Sequence, residues 1–211
     1  GRHGVFELGN GDELNASVLD TWLDDAQAQI TGKVTVVYDS CFSGSFLEFL
    51  YPPVGKERIV ISSAQDDELA WLLVDGGLSF SYQFWNEVGY TGYLYDSFTK
   101  AKKMMMERKP PQTAIIDANG DGKQSKKDVE LVRDMKIGRG YPAAPSTPEI
   151  GDVCPSKEIN GNQTVTIWAE DISVVTPPLK RVWAVIVPPN YSSLFKDGAV
   201  TDLDIVELTD P

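Results

Sequence analysis

The chain has 211 residues, 42% of them hydrophobic and 24% charged, which is enough for one well-buried core and a small second unit. Its 31 acidic against 19 basic side chains give a net charge of −12, which argues against a nucleic-acid surface because the phosphates would be repelled, and suits cation binding. No apolar run approaches the roughly 20 residues that cross a bilayer, and the first residues carry neither a basic nor an apolar leader pattern.

Taken in chain order, Val18, Leu19, Trp22, Leu23, Ala26 and Ile30 recur at helical spacing and predict a helix over 15–30, with Asn15 or Ser17 as its cap and Asp20, Asp24 and Asp25 toward solvent. After Gly32 the run Val34 to Tyr38 reads as a buried strand, since β-branched and aromatic residues fit a pleated surface covered on both faces. A short helix from Ser45 to Leu50 is expected to stop at Pro52 and Pro53. "RIVIS", from Arg58, is a second buried strand. "LSFSYQFWNEV", from Leu78, and "DSFTKAKKMMMER", from Asp96, are helical, the second with a basic end that suits a helix carboxyl terminus. Strands alternating with helices predict a mostly parallel sheet flanked by helices over 1–140. Four prolines, Pro142, Pro145, Pro148 and Pro155, mark 141–156 as a linker. Beyond it the period falls to two in "QTVTIWAE", "KRVWAVIVPP" and "TDLDIVELT", which predicts a small β-sandwich-like module over 157–211. At under about 60 residues that module either packs on the first domain or lacks strands that follow in a longer parent chain.

Cys41 falls just beyond the carboxyl end of the first buried strand, where open α/β sheets place reactive groups. A thiol there is a candidate nucleophile, and it needs a base to raise its thiolate fraction. The sequence offers a single histidine, His3. Gly4 beside it supplies a backbone N–H that, together with that of Cys41, suits an oxyanion. The bland alternative for "RHG" is a solvated tail. Cys41 and Cys154 are far apart and suggest no disulfide framework.

The stretch "YDSCFSGSFLEFL", with Asp39, Ser40, Cys41, Ser43, Gly44 and Ser45 in an acidic-small-Cys-x-Ser-Gly-Ser run, resembles the nucleophile segment of the legumain-like cysteine peptidases of the caspase-like clan. The ordered set of an upstream His-Gly, "VFEL", "LDTWLD", the cysteine strand and "ERIVISSAQDDELAW" extends the resemblance over roughly 1–137. It implies a caspase-like α/β domain and a bacterial, secreted or surface-attached endopeptidase with a Cys41–His3 dyad. It also implies oxyanion donors at Gly4 and Cys41, and a substrate pocket near Asp39 and Ser63. Asp39 would face a basic P1 side chain; its alternative role is to cap the next turn. The family's His-Gly pair lies further upstream of the following aromatic than His3 lies of Phe6. That leaves a second position for the catalytic histidine, immediately before Gly1.

An independent motif is "DANGDGKQSKKD". Asp117, Asn119, Asp121, Ser125 and Asp128 fall at positions one, three, five, nine and twelve of a calcium loop, with the Lys123 carbonyl at seven and Gly122 at the sharp turn. Asp at twelve and Ser at nine resemble the dockerin-type, extracellular variant, for which a structural Ca2+ is expected. The competing reading is a plain polar turn. No organic cofactor motif is present: "GLSFS" and "GDGKQ" miss the nucleophile-elbow and phosphate-loop patterns. Trp71, Trp85, Trp168 and Trp183 sit in apolar runs and are expected in the core. The sequence thus predicts a calcium-stabilised cysteine endopeptidase acting on peptides or proteins outside the cell, and its rival is a non-catalytic, calcium-stabilised adhesion module with an Ig-like β unit.

Overall fold

The computed structural model describes residues 3–8, 11–73, 77–138, 150–155, 157, 161–173, 181–188 and 203–209. The chain divides into two compact units, Gly1–Tyr141 with Val187–Leu203, and Pro142–Ile186 with Asp204–Pro211.

In the first unit β1 (Val5–Glu7) and β2 (Glu13–Asn15) form an antiparallel hairpin that leads directly into α1 (Ala16–Gln29). β3 (Val34–Tyr38) and β4 (Arg58–Ser62) then pair in parallel, with Val36 beside Val60 and Tyr38 beside Ser62. Two helices follow, α2 (Phe80–Thr91) and α3 (Leu94–Met106). β5 (Ile115–Asp117) returns antiparallel to β4, Ile115 opposite Ser62 and Asp117 opposite Val60. α4 (Lys126–Leu131) is short and closes with a capping box between Ser125 and Asp128.

This corrects the expected fold class. Among the described residues the first unit holds a three-stranded mixed sheet, β3-β4-β5, and a separate hairpin, not a large, mostly parallel, caspase-like sheet. The reason is visible in the connections. A single crossover helix carries a chain back to the start of a strand for parallel pairing. Here two helices separate β4 from β5, and the chain re-enters beside the carboxyl end of β4, so β5 must run back.

One face of the sheet is covered by α1 and the segment after Cys41. Ala16, Phe46, Leu47, Leu50 and Val60 form a buried cluster, with Leu19, Leu23, Val36, Tyr38, Phe6 and Ile115 packed on it. Arg58, which shares that face, is fully buried, and its guanidinium reaches Asp20, Asp24 and Gln27 of α1. The two aspartates expected toward solvent are therefore ion-pair partners. Val18 and Trp22 take the exposed positions instead, Trp22 at 58% exposure. Strand alternation sends Ile59 and Ile61 to the opposite face. Phe80, Phe84 and Phe98 of α2 and α3 stack edge-on and face-on nearby in sequence, and Trp71 is buried as expected while Trp85 is half exposed.

In the second unit β6 (Asp152–Val153) pairs with β7 (Ala169–Glu170), and β8 (Val182–Ile186) pairs with β9 (Asp204–Leu208), both antiparallel. The expected sandwich-like module is thus, among the described residues, two separate two-stranded ladders. Proline explains their brevity: Pro155 follows β6 and Pro188 follows β8, and neither can donate to a ladder. Most of the linker expected over 141–156 and the turns between the later strands lie outside the described residues.

Candidate active site at the carboxyl end of β3

β3 ends at Tyr38, and the chain turns sharply. Phe42, directly after Cys41, is held in the left-handed region at φ 58° and starts a 3-10 turn over Ser43–Phe46. A left-handed conformation costs a non-glycine residue about 1 kcal/mol or more, and such residues gather at functional sites. Small residues let this turn seat against the end of β4. A Cβ at Gly44 would stand 2.7 Å from Asp66 N and 2.8 Å from Gln65 C, so a side chain does not fit there.

A web of serines joins the two strand ends. Ser40 N donates to Ser63 Oγ at 3.2 Å, Ala64 N donates to Ser43 Oγ at 3.0 Å, and the Ser43 and Ser63 hydroxyls lie 3.4 Å apart. Ser63, assigned to a substrate pocket from the sequence, is fully buried and spent on this web. Asp39 Oδ2 accepts from Ser81 N at 2.7 Å and so anchors the first turn of α2. This contact is neither of its two expected roles, a P1 pocket or a cap on the turn that follows β3.

Cys41 is only 4% exposed, and its Sγ accepts from Ala70 N at 3.3 Å. Burial pushes the thiol up from its ordinary range, while the Ala70 N–H and the Cys41 N–H act the other way. Tyr38, whose phenol feels the charge of Cys41, has a buried hydroxyl with no close hydrogen bond and the Ser40 side chain as a polar neighbour. Burial pushes that phenol up to about 12, with neighbouring Ser40 opposing and Cys41 adding to the shift.

The His3–Gly4 turn is brought to the same place. Gly4 N donates to Ser45 Oγ at 2.9 Å, and Ser45 Oγ donates in turn to Phe42 O at 2.6 Å. His3 Nε2 stands 3.6 Å from Glu48 Oε1, with both side chains more than half exposed. No bond joins His3 to Cys41 among the described residues. Gly4 N–H is committed to Ser45, so of the two expected oxyanion donors the Cys41 N–H is the one that faces the thiol.

The loop after β5 carries the expected oxygen donors. Asp117 accepts from Gly120 N and Gly122 N at 2.8 Å each, Asn119 Oδ1 from Asp121 N at 2.9 Å, and Asp121 Oδ1 from Lys123 N at 2.9 Å. Asp128 accepts from Ala118 N at 2.9 Å and Asn119 N at 3.0 Å, and from Ser125 N at 2.6 Å. The turn is made possible by Gly120 and Gly122 at φ 75° and 76°. Burial raises the Asp117 carboxyl against three backbone N–H donors, and Asp128 adds to the rise. For Asp128 burial also opposes ionisation, but the Ser125 hydroxyl and surrounding N–H groups outweigh it and hold the carboxyl low. These hard oxygen ligands suit Ca2+ in kind. Among the described residues, however, no group of three or more His, Cys, Asp or Glu side chains is gathered closely enough to hold an ion.

A cavity of about 270 Å3 lies at the opposite end of the sheet, lined by Lys33, Lys56, Arg58 and Asn119 among others, and is not at the thiol. Cys41 and Cys154 are both free thiols. No described helix is long and apolar enough to cross a membrane. No family model matches the chain, and no curated protein matches it.

Proposed function

We propose that the chain is a cysteine-type hydrolase that cleaves peptide bonds through Cys41. The observation that carries this reading is the Gly4–Ser45–Phe42 hydrogen-bond relay, which ties the single His-Gly turn to the turn bearing the cysteine. In the reaction the Cys41 thiol passes its proton to the His3 imidazole, and the thiolate forms a C–S bond with the scissile carbonyl carbon. The oxyanion is met by the Cys41 N–H, and by the Gly4 N–H once it exchanges Ser45 Oγ for the substrate. The C–N bond then breaks, the imidazolium proton leaves with the amine, and water splits the thioester to restore the thiol. Glu48, 3.6 Å from His3 Nε2, is the carboxylate available to the imidazolium.

The oxygen-rich loop 117–128 takes Ca2+ by drawing together Asp117, Asn119, Asp121, Ser125, Asp128 and the Lys123 carbonyl, in a structural role that suits an extracellular or cell-surface setting, where weak calcium sites are loaded. Peptides or proteins are the substrates, with a basic P1 side chain as the first to test because the acidic Asp39 lies two residues before Cys41 and its charge acts on the thiol.

A second reading, a non-catalytic calcium-stabilised surface module, is favoured by the nearly complete burial of Cys41 and the upward push on its thiol. One experiment separates the two. A panel of fluorogenic peptides with varied P1 residues is incubated with the protein, Cys41→Ala and His3→Ala in Ca2+. Turnover by the parent, abolished in Cys41→Ala and reduced about 100-fold or more in His3→Ala, supports the hydrolase. No turnover of any peptide would leave the surface module as the function.

A further inference from the structure

The thiol is covered by a loop that is held from a distance. Over residues 68–71 the chain crosses Cys41, with Phe42 N donating to Glu68 O at 2.8 Å and Ala70 N donating to the sulfur. Three bonds fasten this loop to the segment just before β5. Trp71 N donates to Gln112 Oε1 at 2.8 Å, Trp71 Nε1 to Pro110 O at 2.9 Å, and Thr113 N to Glu68 Oε2 at 2.6 Å.

Gln112 is the centre of the fastening. Its side chain is fully buried, and its other end donates to Ser63 O at 2.8 Å, at the end of β4 where the serine web begins. Its backbone N–H reaches Met105 O at the end of α3. A buried carboxamide with both ends satisfied fixes two strands of chain at one distance, because either end costs free energy if released. Here the two are the Ala70–Trp71 stretch, which donates to Cys41 Sγ, and the Ser63 stretch, which holds Ser40 beside it.

We propose that Gln112 is a positioning residue for Cys41, one that sets the 68–71 loop so that the Ala70 N–H rests on the sulfur and water is kept off it. The proposal rests on the reading of Cys41 as the nucleophile for its use in hydrolysis, but not for its effect on the thiol. Gln112 touches neither the sulfur nor a substrate and acts only through Trp71 and Ala70.

The test measures alkylation of Cys41 by iodoacetamide across pH, resolved from Cys154 by peptide mass spectrometry, in the full chain and in Gln112→Ala, Trp71→Phe and Ser97→Ala. Ser97 is a buried hydroxyl in α3 that bonds Tyr93 O, and its removal perturbs the core without touching the loop. With two hydrogen bonds lost in Gln112→Ala, the loop opens more often and Cys41 alkylates about tenfold faster or more. The pH midpoint moves down toward that of an ordinary thiol because water replaces the burial that held it up. Trp71→Phe moves both readouts in the same direction by less, and Ser97→Ala moves neither.

Peptide hydrolysis moves the opposite way, falling in Gln112→Ala as unselective alkylation rises; loss of stability alone gives the same pairing, so the effect is assigned to the loop only where Ser97→Ala, compared at equal distance below its Tm, shows neither change. If the parent chain hydrolyses nothing, the peptidase reading fails while the alkylation arm still decides the role of Gln112. Unchanged alkylation and midpoint in Gln112→Ala would overturn the proposal. If that variant does not fold, Gln112→Met, which keeps the length of the side chain without either hydrogen bond, takes its place, and unchanged alkylation and midpoint in it overturn the proposal.

Discussion

Arg58→Met probes the contact that fixes α1 on the sheet. The guanidinium donates to Asp20 Oδ1 at 2.6 Å, Asp24 Oδ1 at 2.5 Å, Gln27 Oε1 at 2.7 Å and Tyr51 O at 3.1 Å, with no exposure of its own side chain. Methionine fills most of the same volume and donates nothing. Asp20 and Asp24 are partly exposed, so their carboxylates regain water and each lost bond costs about 1 kcal/mol rather than the buried figure. Gln27 is fully buried, and its oxygen is left without this donor at about 1–2 kcal/mol, while the Tyr51 carbonyl loses its bond at about 1 kcal/mol. Against these losses, no cation is desolvated any longer, which returns about 2 kcal/mol. The net expectation is a loss of about 2–3 kcal/mol, or roughly 6–10 °C in Tm for a unit of this size. Urea titration followed by circular dichroism reads the first figure, and a thermal scan the second. Asp24→Asn, which leaves the other three partners in place, is expected to cost less than about 1 kcal/mol. An Arg58→Met protein as stable as the parent, or more so, would refute the reasoning and show that desolvation of the guanidinium outweighs its bonds.

Tyr38→Phe removes a buried hydroxyl whose contact with the Ser40 side chain is not a close hydrogen bond, so it is expected to be neutral or to stabilise by up to about 1 kcal/mol in the same titration, and a loss above about 1 kcal/mol would mean that Ser40 satisfies the hydroxyl in solution. Because burial raises the Cys41 thiol above its ordinary value of 9.0, its contribution to stability is complete below that value and is lost as pH rises through the folded-state value. Stability measured from neutral to alkaline pH should therefore fall more steeply in the parent than in Cys41→Ala, and parallel curves would contradict the assigned burial. Asp128 acts in the reverse sense: its carboxyl is held low, so its contribution is present above the ordinary 3.8 and is lost as pH falls through the folded value, and Asp128→Asn should flatten the acid limb. Millimolar Ca2+ is expected to raise Tm by a few degrees and chelator to reverse it, with no response in Asp121→Ala, whose exposed side chain leaves the core untouched; an unresponsive parent would remove Ca2+ from the proposed function.

The elements most legible in the sequence were those whose side chains carry one environment throughout. Val34 to Tyr38 and Arg58 to Ser62 read as strands because every position suits a covered sheet, and α2 and α3 showed their helical period. β5 carries no local signal: its three residues follow "KPPQTA", which has no period, and its reversed direction depends on two helices lying between it and β4. The fold-class error followed from that one strand, together with ladders in the second unit that prolines cut short. Asp20 and Asp24 read as solvent-facing because a strand arginine gave no sign that it would turn beneath α1. At the site, the position of Cys41 beyond a strand end was readable from local pattern. The commitments of Asp39, Ser63 and Gly4 were not, since each depends on a partner 41 or 42 residues away, or 23 for Ser63. Gln112 gives no signal beyond being a lone amide between Pro111 and Thr113.

The seat of Gly44 against the backbone of Gln65 and Asp66 has a consequence for how this chain can vary. The obstacle is main chain on both sides, so no rotamer and no trimming of a neighbouring side chain makes room for even one methyl group. Alanine at 44 has to prise apart the turn after Cys41 and the turn after β4, and with them the serine web. In a library randomised at 42–46 and sorted for folded protein, position 44 should return glycine alone, whereas Phe42, whose strain glycine would relieve, should return more than one residue.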